Sequence, residues 1–304
     1  MPQETDDLSP AQGRLCIAAA ALLWSLGGAF AKVLTQPTAF GLDEPALETL
    51  PVAGYPLPVQ IACYRSLFAG LVLVPLVKKG DLTIRPLMWL MAFCFTIMNA
   101  TFITAMALGT AANAILLQYT APLWMYLAGI FLLGERAERR NTISLLVGLT
   151  GIAIIIAGGW TEGEPVVILV ALASGVSYAG VLICLRVLRD VSSRWLTVWN
   201  HLLGGLVLIP LLITLRPPTF AQFLTLFLYG SVQMGLAYWL VARGLRVVPP
   251  QEAGTIMLLE PILNPVWAYL VSPRTEAPDA WTYLGGAIIL LALAYRYAPG
   301  RARG

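Results

Sequence analysis

Charge is scarce in this sequence. Asp, Glu, Lys and Arg supply 12% of its 304 residues, against about 25% in an ordinary water-soluble domain. Apolar residues supply 58%, so a soluble fold would turn large greasy patches to water, a conflict that a lipid-facing exterior removes. Histidine occurs once, at His201. The four cysteines, Cys16, Cys63, Cys94 and Cys184, lie in apolar stretches without a CxxC pair. They read as packing thiols, not as metal ligands or a disulfide framework. A Walker A loop, a GxGxxG, an HExxH and an Asp-rich cluster are all missing. Neither a cofactor nor a metal is therefore expected, and ATP-driven pumping by this chain alone is not. A net charge of +3 gives no pointer to nucleic acid.

What the sequence has in quantity is long apolar runs. Crossing the ~30 Å hydrocarbon core takes about 20 apolar residues in a helix. Ten stretches qualify, at roughly 15–34, 57–77, 87–108, 112–133, 142–160, 165–185, 195–215, 219–241, 250–271 and 281–298. The expected fold is an all-α integral membrane protein in the bilayer, with no large soluble domain. The first run is read as a retained helix, not a signal peptide. Only the first connection is long, from about Thr35 to Pro56.

Basic residues set the orientation, because cytoplasmic loops retain Lys and Arg. With the N-terminus in the cytoplasm, fifteen basic residues fall on that side, Arg301 and Arg303 among them. Lys32, Arg216 and Arg274 fall outside, and Arg65 lies within a span. Both termini are expected in the cytoplasm.

The sequence also repeats. Tyr64 to Leu76 (YRSLFAGLVLVPL) and Trp199 to Leu211 (WNHLLGGLVLIPL) share seven of thirteen positions at an offset of 135. Trp24 and Lys32 correspond in spacing to Tyr178 and Arg186, and Pro122 to Pro261. Residues 1–160 and 161–304 thus read as two five-helix repeats forming one transport domain. Because five is odd, the second copy enters the membrane inverted, a construction common in transporters, whose sites lie near the midplane between repeats. A passive channel or an integral membrane enzyme is an alternative use of such a repeat, and the lone histidine makes the enzyme a poor one.

Polar groups in the runs concentrate in the third, fourth, eighth and ninth. The fifth and tenth carry Gly148, Gly151, Gly285 and Gly286 but almost no polar side chain at mid-depth, so they are expected to pack outside a polar cavity. Arg65 lies about 12 Å into its helix at 1.5 Å per residue. An Arg at the bilayer centre costs roughly 2.5–3.5 kcal/mol on insertion scales, so it requires water, a partner or a ligand. Glu260 is near mid-depth in the ninth run, with Asn264 one turn on. The two ionisable residues are candidates to bind an anionic and a cationic group; the competing reading is an ion pair that holds the halves together. His201 reads as either a proton relay, with protons then a coupling partner, or a packing histidine. Candidate binding residues are Arg65, Tyr64, Trp24, Asn99, Gln118, Tyr119, Tyr178, His201, Gln233, Tyr238, Glu260 and Asn264. Pro122 and Pro261 are candidate hinges, since each frees the carbonyl four residues earlier. In the Gly134-Glu135-Arg136 turn, Glu135 is placed to pair with Arg139.

Ten spans, the duplication, the Pro122 and Pro261 helices and the Gly134-Glu135-Arg136 turn together resemble the drug/metabolite transporter superfamily, and within it EamA-type and YddG-like amino-acid exporters. After the ninth helix the chain departs from the Gly-Glu pattern, reading Ser272 to Glu276 (SPRTE). The resemblance implies export of small metabolites, amino acids including aromatic and neutral ones, across the bacterial inner membrane by alternating access. It also includes exporters of hydrophobic organic cations and drugs, which would rely on Glu260 and the aromatics and tolerate loss of Arg65.

Overall fold

The computed structural model describes residues 8–36, 46–134, 136–161 and 165–297. Glu135, Arg301 and Arg303 lie outside the described residues. Helical rods follow one another as α1 (Pro10–Thr35), α2 (Val59–Leu76), α3 (Pro86–Leu108), α4 (Ala111–Phe131), α5 (Arg139–Gly158), α6 (Pro165–Val187), α7 (Ser193–Leu212), α8 (Phe220–Gly244), α9 (Glu252–Val271) and α10 (Ala280–Tyr297). Among the described residues, the nine from α1 to α9 are long and apolar enough to cross a membrane. Bulky apolar side chains cover the outside, Phe220 being 83% and Phe131 79% exposed. This is a multi-pass membrane protein, since such a surface needs lipid around it.

Local chemistry marks several ends. Ser9 and Gln12 form a capping box that starts α1 with Pro10 in its first turn, earlier than the apolar run alone indicates. Thr219 and Gln222 start α8 in the same way, each satisfying two backbone donors. Gly134 closes the fourth rod at φ 65°, the left-handed cap that glycine adopts without strain. In the long first connection Leu50–Val52 pairs antiparallel with Tyr55–Leu57. An all-α expectation includes no strand there, and proline in a strand is confined to positions that need no donor. Pro51 and Pro56 sit opposite each other, one pair away from the Ala53-Gly54 turn. In a hairpin with a two-residue turn that pair needs no ladder donor, so the missing N–H groups are not felt.

The principal contacts show the duplication. α2 packs on α7 and α5 on α10; α1 on α8 is matched by α6 on α3, α1 on α9 by α6 on α4, and α2 on α8 by α7 on α3. Exchanging the first five rods for the last five leaves this pattern unchanged, as a two-fold relation between repeats requires. At the α5–α10 crossing a Cβ on Gly151 would lie 2.7 Å from the Gly285 carbonyl oxygen, and one on Gly285 2.6 Å from that of Gly151. The expected glycine contact is there.

Four rods are interrupted in their interiors, while α2 and α7 tighten into 3-10 turns at their ends, Val74–Leu76 and Ile209–Leu212. α4 breaks between Gln118 and Ala121, and α9 breaks at Leu258, just ahead of Pro122 and Pro261. α1 breaks at Leu26 into Pro10–Ser25 and Gly27–Thr35 without any proline. α8 widens into a π-helix over Tyr229–Leu236.

At the end of the bundle where α1 finishes, Lys32 Nζ lies 2.6 Å from Glu276 Oε1, both side chains 1% exposed. Lys32 also donates to the Gly109 carbonyl at 2.8 Å, and Glu276 Oε2 accepts from the Ala111 N–H at 2.7 Å. Together they tie α1 and the α3–α4 turn of the first half to the α9–α10 loop of the second.

Candidate functional site

All four broken rods meet at one cavity of about 240 Å³. Its wall includes Trp24 and Gly27 from α1, Arg65 from α2, Gln118, Tyr119 and Pro122 from α4, and Tyr178 from α6. Gln233 and Tyr238 come from α8 and Glu260 from α9. It extends toward the end of the bundle where Gly254 stands in the first turns of α9 and Tyr297 ends α10, opposite to Lys32 and Glu276. α10 is therefore not wholly outside the cavity as its composition suggests: Leu293 and Tyr297 reach it.

Arg65 is buried on one wall. Its Nη1 donates to Tyr229 Oη at 3.2 Å, its Nη2 donates to Asn99 Oδ1, and the guanidinium carbon stands 5.0 Å from the centre of the Tyr229 ring. Asn99 is fixed in turn, its Nδ2 bonding the Ala62 carbonyl at 2.8 Å and Ser66 Oγ at 3.0 Å. Tyr229 Oη donates to the Gly27 carbonyl at 2.9 Å. The guanidinium is thus aimed by neutral groups, which orient its charge without cancelling it. Its Nε has no hydrogen-bond partner among the described residues.

Elsewhere in the lining Tyr119 Oη donates to Glu260 Oε2 at 2.6 Å and lies 3.1 Å from the Met257 carbonyl oxygen. That carbonyl is the one Pro261 frees, so the break and the carboxylate face the same space. Ion pairs among the described residues join Arg14 to Glu252, Lys32 to Glu276, Arg85 to Asp190 and Arg194 to Asp81; neither Arg65 nor Glu260 takes part. The ion-pair alternative raised by the sequence is not what the structure contains. Between the two charges Trp24 meets Tyr238 edge to face at 5.0 Å, and Gln233 Nε2 donates to the Trp24 carbonyl at 2.8 Å.

Eight of the twelve candidates line this cavity, as does Pro122. Tyr64, Asn99, His201, Asn264 and Pro261 do not. Tyr64 is corrected outright: one residue along a helix is a turn of about 100°, which carries it from the cavity to Phe68 and Phe223 on the outer side. Asn99 and Pro261 act from behind the wall, by aiming Arg65 and by breaking α9. His201 Nδ1 donates to the Thr197 carbonyl at 2.8 Å, and its ring packs on Phe95 and Tyr238 at 4.7 and 4.9 Å. That is a packing geometry. Asn264 is buried against Gly28. Tyr229 and Gly27 were missed as site residues. Tyr229 opens the π-helical stretch of α8 and accepts from Arg65 there, a contact that a tyrosine in an apolar run does not announce.

Residues 50–157 and 165–296 each match the EamA-like transporter family. The chain is 29% identical over 209 residues to a transporter of Archaeoglobus fulgidus, covering 68% of this chain and 74% of that one. It is 26% identical over 262 residues to the pseudopaline exporter of Pseudomonas aeruginosa, covering 83% and 88%. A solved crystal structure superposes with a TM-score of 0.62 over 95% of this chain and 98% of that one, at 19% identity; that likeness concerns the fold alone.

Proposed function

The chain belongs to the EamA-like transporter family, and from that premise we propose that it exports small zwitterionic metabolites, amino acids foremost, across the bacterial inner membrane. One observation supports this substrate class above others: among the described residues, a cation and a carboxylate line one cavity without pairing. Two desolvated charges left apart are costly, and a ligand carrying both opposite charges repays each of them. The carboxylate of an amino acid would lie toward Arg65 and its ammonium toward Glu260 and the Met257 carbonyl, with its side chain among Trp24, Tyr119, Tyr178 and Tyr238. A volume near 240 Å³ is below the roughly 300–1,000 Å³ of sites for drug-sized ligands, which favours this cargo over bulky organic cations. An exporter among the relatives supports outward flux.

Residues 1–160 and 161–304 act as the two halves of one transport domain crossing the membrane ten times, with both termini cytoplasmic. The cavity then opens toward the cytoplasm, and Lys32 and Glu276 seal the outer end. Alternating access breaks that seal as the cytoplasmic mouth closes, with the breaks at Pro122 and Pro261 as hinges. The aromatic wall beside Glu260 supports a second reading, export of small organic cations, which differs in not needing Arg65.

The deciding measurement is counterflow of labelled amino acids and of organic cations in proteoliposomes. Arg65→Ala is expected to stay folded and to lose amino-acid flux by about a hundredfold, the scale of a buried charge-assisted contact. Full amino-acid flux in that variant would sink the zwitterion reading, and cation flux surviving alone would install the second.

A further inference from the structure

Gly27 has no side chain, yet three polar side chains converge on the place where one would stand. A Cβ built there would lie 3.2 Å from Gln233 Nε2, 3.6 Å from Asn264 Nδ2 and 3.7 Å from Tyr229 Oη. These groups come from α8 and α9, and Gly27 itself lines the cavity. The surroundings carry hydrogen-bonding capacity that the protein does not use. Arg65 Nε, Gln233 Oε1 and both side-chain polar atoms of Asn264 are buried without a hydrogen-bond partner among the described residues. Arg65 is 2%, Gln233 4% and Asn264 0% exposed. Buried polar groups are nearly always paired, so four orphaned atoms on three side chains, two donors and two acceptors, call for a reason.

The break in α1 supplies a further part. Gly27 opens the nine-residue half-helix Gly27–Thr35 with only Leu26 between it and the end of Pro10–Ser25, so it stands at the break itself. The atoms nearest a Cβ on Gly27 include the amide donors Gln233 Nε2 and Asn264 Nδ2, and Arg65 brings its guanidinium to the same cavity; the unpartnered acceptors, Gln233 Oε1 and Asn264 Oδ1, are not among those nearest atoms. The group that fits the donors at Gly27 is an oxyanion.

We infer that Gly27 is the floor of a carboxylate subsite, on which the substrate's carboxylate rests against the α1 backbone between Arg65 and Gln233, with Asn264 behind. Glycine is needed because any side chain fills the space the carboxylate takes. The inference rests on the zwitterion reading and adds to it the residue that tells an acid from its neutral analogue. Gln233 is held by the Trp24 carbonyl through one Nε2 hydrogen, which leaves the second hydrogen for the ligand.

The test compares a neutral amino acid with its amide, which keeps the ammonium and side chain but lacks the anion. Both compete against labelled amino acid for counterflow by the full chain in proteoliposomes. The wild type is expected to prefer the acid by about tenfold or more, as loss of a charge-assisted contact implies. In Gly27→Ala the acid-to-amide ratio is expected to fall to about one. Gln233→Glu, which puts a negative charge where the carboxylate would sit, is expected to invert it, and thermal unfolding in detergent checks that each variant is folded. An unchanged ratio in the folded variants overturns the subsite while the zwitterion reading survives. A wild type that takes acid and amide equally overturns both.

Discussion

Lys32 and Glu276 touch, whereas Arg65 and Glu260 do not. Both pairs set a base from the first half against an acid from the second, and all four side chains lie in the protein interior or on an internal cavity. Where the pair is closed, each partner has a further backbone contact, and the site is finished. Where it is open, tyrosine and asparagine hold the charges back from one another. The difference separates a joint from a receptor: a charge pair that satisfies itself holds two elements together, and one held apart by neutral neighbours retains its affinity for something else. The joint is not a comfortable one. Burial pushes the Glu276 carboxyl above its usual range even though Lys32 and the Ala111 N–H pull it down. Attraction therefore does not fully offset desolvation, which would suit the seal proposed above.

Breaking the closed pair from one side is expected to have the largest effect on stability. Lys32→Ala strands a buried carboxylate and should cost about 3–5 kcal/mol, read as a lower unfolding midpoint in detergent. Equal stability of the variant and the wild type would show that water already reaches the pair. Exchanging the charges, Lys32→Glu with Glu276→Lys, should recover at least about 1 kcal/mol of that loss, since contacting partners couple by 0.5–3 kcal/mol. The open pair should behave oppositely. Glu260→Gln removes charge without shortening the side chain and should move stability by less than about 1 kcal/mol, while zwitterion counterflow falls about tenfold, the equivalent of ~1.4 kcal/mol. A large stability loss without a transport defect would make Glu260 a joint as well. Smallest of all, Arg14→Ala breaks an exposed pair with Glu252; it should change stability by about 0.5 kcal/mol or less and leave counterflow alone.

What could be read from the sequence follows the range of the forces involved. Span lengths depend on local apolarity, and those readings land within a few residues of the rods. Pro122 and Pro261 act on their own helices, so their breaks were visible too. The break at Leu26 has no such marker: Gly27 and Gly28 sit in an apolar run, and Asn264 and Gln233, more than 200 residues away, pack against them. The π-helix over Tyr229–Leu236 likewise has no local signature, so the aiming of Tyr229 at Arg65 was hidden. Arg65 and Glu260 were found because a charge inside a span is conspicuous. Tyr64 is one aromatic among several in the spans, and its type alone does not say which helix face it takes. Glu276 stood out only as a departure from a motif, and its partner lies 244 positions earlier.

The contact of Gly151 with Gly285 has a mechanical consequence. It lies where α5 meets α10, a contact that exchange of the repeats carries onto itself, so when one half rocks on the other this point has nowhere to travel. Backbone rests on backbone there, flanked by Ile155 and Ile289. Such a crossing can roll but cannot yield. In the alternating access proposed above it would act as a bearing, keeping the distance between the halves constant while angles change.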